Sequence, residues 1–103
     1  MTPQELEACV LAGLLNGGAS PDAFDVIAST PEESFSIGFH RRAFSEIKKQ
    51  ALANGLIDML FVSEALGGSS LADLSEITRM PATVPNLKGY AGKMVKAWRS
   101  RRM

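Results

Sequence analysis

At 103 residues, with 46% hydrophobic and 21% charged residues, the chain suits one small globular domain with a single core, far from the composition of disordered proteins. Its formal net charge of zero hides a division: Met1 to Pro85 carries five basic and eleven acidic residues, whereas Asn86 to Met103 carries six basic and none acidic. One cysteine and one histidine exclude an internal disulfide and a structural zinc site, and the absence of a bilayer-length apolar run or a secretory leader points to a cytoplasmic chain without cofactor or membrane contact.

Thr2 followed by Pro3 and Glu5 forms a capping box, opening a helix with Leu6, Val10 and Leu14 on one stripe and Leu11 and Leu15 beside it; Asn16-Gly17-Gly18 stops it. Ser20-Pro21 repeats the start signal for a short second helix with Phe24, Ile27 and Ala28, before a connection punctuated by Pro31. From about Ile37 to Asn54 the stripe Ile37, His40, Phe44, Ile47, Ala51 predicts the longest helix, with Gly55 at its left-handed C-cap and Gly38 weakening its first turn. Asp58 caps a fourth segment, "MLFVSEAL", closed by Gly67-Gly68. A strand over Met59 to Val62 finds no second alternating run to pair with, so the segment reads as helix. Ser69 or Ser70 caps a fifth helix carrying Leu71, Leu74 and Ile77. After a loop fixed by Pro81 and Pro85, a sixth starts near Asn86 with Leu87, Tyr90, Ala91, Met94 and Trp98 on one stripe. The expected fold is all-α, a compact bundle of about six short helices.

Chemistry-bearing residues are few. Cys9 and His40 could be paired as a nucleophile and base, but Cys9 lies on a helix and no carboxylate or amide is placed by sequence to orient the ring, so His40 reads as a core residue bonded to a backbone carbonyl. Arg41, Arg42, Lys48 and Lys49 sit on or near the exposed flank of the third helix. A phosphate-binding surface would want them there, and a solvated helix face explains them equally, since no aromatic interleaves them for base stacking. Lys88, Lys93, Lys96 and Arg99 stand off the apolar stripe of the last helix, with Arg101 and Arg102 beyond, a placement that suits the negative end of the helix dipole. No GxxxxGK[ST] phosphate loop is present.

The order of features resembles the N-terminal domain of bacterial and phage DnaB-type replicative helicases. "ELEACVLAGLLN" is similar to that family's first helix and "DAFDVIA" to its second. "SFSIGFHRRAF" carries an early Phe, a His-Arg pair and an apolar-Phe pair in Phe35, His40, Arg41 and Phe44. "NGLIDMLFVSEAL" and "LADLSEITRMPATVPNLKGYAGKMV" continue the match through the Asn-x-x-x-Tyr-Ala helix. The joint order and spacing carry the resemblance, since no single motif is specific. The aromatic that usually precedes the "LADLSEI" leucine is absent, and Val84-Pro85 replace small residues, which marks a divergent member.

The resemblance implies a non-catalytic head domain, residues 1–98, that helps helicase subunits associate and docks primase or a helicase loader, and it leaves room for a weak homodimer. It further implies that the head is followed by a helical hairpin, so that residues 99–103 read as a basic tail leading toward such a hairpin or a linker. A docking module needs apolar anchors outside its own core. Phe61 is one candidate, because Leu60, Phe61 and Val62 spread over too wide an arc for one short helix to bury, and Trp98 is another; base rates for large apolar side chains favour a core role for both. The alternative reading is a small DNA-binding or regulatory protein whose basic terminal helix contacts phosphates.

Overall fold

In the computed structural model, which describes residues 2–68, 70–80 and 86–101, the capping box at the N-terminus is complete. The Thr2 amide donates to Glu5 Oε1 at 2.8 Å and the Glu5 amide to Thr2 Oγ1 at 3.1 Å, starting α1 at Pro3–Gly17. The Ser20 hydroxyl accepts from the Ala23 amide at 3.1 Å and starts α2 at Pro21–Ser29. A 3-10 turn at Glu32–Ser34 leads to α3 at Gly38–Asn54. This helix ends at Gly55, whose left-handed φ of 69° lets its amide donate back to the Ala51 carbonyl at 2.8 Å. Asp58 accepts from the Leu60 and Phe61 amides and opens α4 at Met59–Leu66, which settles the helix-or-strand question for that segment. α5 spans Ser70–Thr78 and α6 spans Leu87–Arg101. Six α-helices and no strand among the described residues make the all-α expectation correct. Ser69, Arg102 and the loop holding Pro81 and Pro85 lie outside the described residues.

α1 is the central element. Residues Cys9 to Leu14 are all buried, as are Leu6 and Glu7, because α3, α5 and α6 all pack against it. A helix apolar around most of its circumference is stable only when enclosed in this way. The enclosure is tight at Gly13, where an added Cβ would stand 2.9 Å from Leu87 Cδ1. Glycine there lets α6 approach the α1 backbone. α6 also packs on α2, α3 packs on α4, and α4 on α5; the Asn16 side-chain amide donates to the Thr78 carbonyl at 3.1 Å, tying the ends of α1 and α5. Phe35 and Phe44 stack at 4.7 Å in the core. The radius of gyration, 12.4 Å, is close to the roughly 13 Å of a 100-residue domain.

Several side chains depart from the sequence reading, among them Ala28, which is exposed while Ala23, Val26 and Ile27 are the buried residues of α2. Ile37 is 37% exposed because it is the N-cap of α3 rather than part of its inner face. Leu71 is 39% exposed, since α5 turns only Ser70, Leu74 and Ile77 fully inward. Phe61, for which base rates favoured the core, is 53% exposed, while Val62 next to it is completely buried. Beyond Trp98, which is half-buried, α6 continues in helical conformation through Arg101.

Candidate functional site

The most densely bonded polar group inside the domain is the Glu7 carboxylate on α1. Its Oε2 accepts from the Ser36 amide at 2.9 Å and the Ser36 hydroxyl at 2.6 Å, and its Oε1 accepts from the Ile37 amide at 3.3 Å and lies 3.0 Å from His40 Nδ1. Because an ionised carboxylate only accepts, the His40 proton at this contact is on Nδ1. Glu7 therefore does two jobs. It orients the His40 ring, and it places a negative charge just ahead of α3, a helix whose own N-cap supplies no side-chain bond. Burial pushes the Glu7 carboxyl pKa up, and the bonds from Ser36, His40 and Ile37 together outweigh burial and hold it below its ordinary value. The expected backbone-carbonyl partner of His40 is thus corrected to a carboxylate from a helix more than thirty residues away in sequence. Cys9 is fully buried, and that burial, with the charge of Glu5, raises its thiol pKa away from the reactive thiolate. A nucleophile that is protonated and enclosed has no access to substrate.

The cations divide into engaged and open. Arg41 donates from Nε and Nη2 to the Phe35 carbonyl at 3.2 and 3.1 Å, clasping the chain ahead of α3. Arg42 lies over the Phe39 ring at 5.9 Å. Lys48 is half-buried and Lys49 is exposed. On α6, Lys88 bridges Asp25 at 3.0 Å and Asp22 at 3.4 Å on α2; hydrogen bonding to Asp25 is the main cause of its raised pKa. Lys93, Lys96, Arg99 and Arg101 are exposed and form no ion pair among the described residues.

Two surfaces are shaped to receive something. α4 buries Val62 and Ser63 and presents Leu60, Phe61, Glu64 and Ala65 outward, and Leu52 and Leu56 just before it are also exposed. Phe61 and Ala65 share a shallow depression of about 520 Å³ with Gln50, whose side chain donates to the Phe61 carbonyl at 3.1 Å. A larger groove, about 800 Å³, runs between α2 and α6, with Val26, Ala91 and Val95 among its lining residues and Lys96 and Arg99 on the α6 side. No cluster of three or more histidine, cysteine or carboxylate side chains suited to a metal ion occurs among the described residues, and no helix there is long and apolar enough to cross a membrane.

The family model described as the DnaB-like helicase N-terminal domain matches residues 2–96, nearly the whole chain. The chain belongs to the DnaB-like helicase N-terminal domain family. No curated protein and no solved structure matches it. The family is the non-catalytic N-terminal part of a replicative helicase. Within this DnaB-like domain, the basic residues singled out from sequence lie in two places: Arg41 and Arg42 are on α3, engaged with the Phe35 carbonyl and the Phe39 ring, and Lys96 and Arg99 line the groove along α2. Arg102 lies outside the described residues. Glu7 was the residue that sequence reasoning missed. Its position was the signal: Glu7 stands three and four residues ahead of Val10 and Leu11 on the inward side of α1, where a carboxylate needs buried partners.

Proposed function

We propose that this DnaB-like domain works through protein contacts alone, associating helicase subunits and docking a primase or a helicase loader during DNA replication in the cytoplasm. The observation that carries this reading is the family match over residues 2–96. It is supported by the surface of α4 and the segment before it, where Leu52, Leu56, Leu60 and Phe61 are each more than half exposed. Large apolar side chains concentrated in ten residues are what a partner's aromatic or aliphatic pocket engages. Trp98, half-buried near the end of α6, is a second anchor.

Titration with the cognate primase's C-terminal domain and with the cognate loader tests the proposal. Binding of at least one with a Kd at or below about 100 μM is expected, the weak end of transient contacts. Phe61→Ala should weaken it about tenfold or more if Phe61 is an anchor, with the fold unchanged because the ring is outside the core. No binding of either protein at about 100 μM leaves only subunit association, read by the oligomeric state in solution. The alternative, phosphate contact by the basic helix, rests on the exposed Lys93, Lys96, Arg99 and Arg101, and its signature is a steep loss of DNA binding with salt.

A further inference from the structure

The α2/α6 groove contains an unusual position. At 100° per residue, Lys88, Gly92, Val95, Lys96 and Arg99 fall on one arc of α6 next to the core line of Leu87, Ala91 and Met94, and this arc faces α2 across the groove. Gly92 lies in the middle of that arc and in the interior of a helix, where glycine is the poorest residue short of proline. Of the other glycines within α1 and α6, Gly13 is explained by the close approach of Leu87, and Gly89, also with open space around it, lies in the first turn of α6. Gly92 has nothing within 4 Å of where its Cβ would be. The domain's own packing gives no reason to keep that space empty.

Charge distinguishes what would fill it. The groove's ionic lining is Asp25, Lys88, Lys96 and Arg99, and Asp25 is already bonded to Lys88 at one end. Lys96 and Arg99 form no ion pair among the described residues and leave the other end positive. Between the two ends, Val26, Ala91, Gly92 and Val95 offer an apolar floor, and no aromatic side chain lines it. A base-stacking platform for single-stranded nucleic acid needs aromatics, whereas an amphipathic peptide needs an apolar floor beside a charged rim.

We infer that the α2/α6 groove is a docking site for a short acidic amphipathic segment of a protein partner, with aliphatic side chains over Gly92 and Val95 and carboxylates on Lys96 and Arg99. The inference rests on the proposed docking role and gives it a second surface, separate from that of Phe61. Anisotropy with a fluorescein-labelled helical peptide of about 15 residues, leucine on one face and glutamate on the other, should give a Kd on the order of 100 μM. The same peptide with lysine for glutamate should bind at least about tenfold more weakly, since like charge at the rim opposes it. Amide shifts should centre on Val26, Ala91 and Val95. Gly92→Leu, which fills the groove, and the double variant Lys96→Glu/Arg99→Glu should each weaken the glutamate peptide about tenfold or more, with helical content and melting transition retained.

Equal binding of the glutamate peptide by wild type and Gly92→Leu overturns the assignment, as do shifts centred on Phe61. So does binding of a single DNA strand of about 20 nucleotides that is lost in Lys96→Glu/Arg99→Glu but intact in Gly92→Leu, which gives the cations to phosphate. The cognate proteins separate this inference from the reading beneath it. If the primase domain or loader binds wild type and Gly92→Leu equally, the groove is wrong and the docking role stands; if neither binds while the glutamate peptide occupies the groove, the docking role is wrong and the groove stands.

Discussion

At the scale of single residues, the Glu7 carboxylate does the most for this domain. Its side chain is 1% exposed and is bonded to groups contributed by three residues of another part of the chain. A buried charge is tolerated when its acceptor sites are filled, and removing it leaves the donors of Ser36, Ile37 and His40 without a strong acceptor. Glu7→Gln keeps the volume and removes the charge, and it should cost about 2 kcal/mol in urea unfolding at neutral pH. The pH dependence has a definite sign. Because the folded pKa lies below the ordinary value of 4.5, the contribution of Glu7 is fully present above that value and is lost as pH falls through the folded pKa. Wild type should therefore lose stability progressively below about pH 4.5, and urea midpoints measured between about pH 3 and pH 7 should show a shallower acid slope for Glu7→Gln. Identical slopes would remove Glu7 as the source.

At the scale of helices, two glycines of similar appearance in the sequence predict opposite responses. Gly13 is where α6 approaches α1, and Gly13→Val would force its branched side chain against Leu87, which is 1% exposed and has little room to move. Overpacking of this kind costs about 1–3 kcal/mol. Gly92→Ala adds a methyl group over open space in a helix interior and should stabilise by about 0.5–1 kcal/mol. Thermal melts of the two variants should move in opposite directions. The same contrast explains what was legible beforehand. Caps at Thr2, Ser20, Asp58 and Gly55 depend on residues within four positions of each other, so the sequence displays them and the helix starts and stops follow. The Glu7 to His40 contact joins residues 33 apart and has no local signature; the wide arc of Leu60, Phe61 and Val62 showed that not all three could be buried, but which of them stays exposed depends on the faces that α3 and α5 cover. The groove was invisible for the same reason: the spacing of Gly92, Lys96 and Arg99 was present, but the position of α2 opposite them was not.

At the scale of the whole molecule, folding brings the two oppositely charged parts of the chain together. The segment up to Pro85, with five basic and eleven acidic residues, carries −6, and the remainder carries +6; α6 lies against α2, where Lys88 bridges Asp22 and Asp25. The packing of α6 along the acidic body reduces the field that a polyanion would experience from its cations. Of the cations once grouped as phosphate contacts, Arg41 is bonded to a carbonyl and Arg42 is stacked on Phe39, and among the described residues the cations exposed on α6 without an ion pair are Lys93, Lys96, Arg99 and Arg101. If all four met phosphates, log K would fall with log salt at a slope no steeper than about −3.6 on duplex DNA, from about 0.9 per phosphate neutralised. Lys93 lies on the side of α6 opposite Val95 and Arg99, so the four do not share one phosphate track and the slope should be shallower still. The expected outcome is no detectable duplex binding at about 100 μM protein in physiological salt, and weak binding with a slope shallower than about −3 at low salt. A slope steeper than about −5 would require cations from the α3 flank to act together with α6, and would make the basic helix part of a nucleic-acid surface rather than the charged rim of a protein-docking groove.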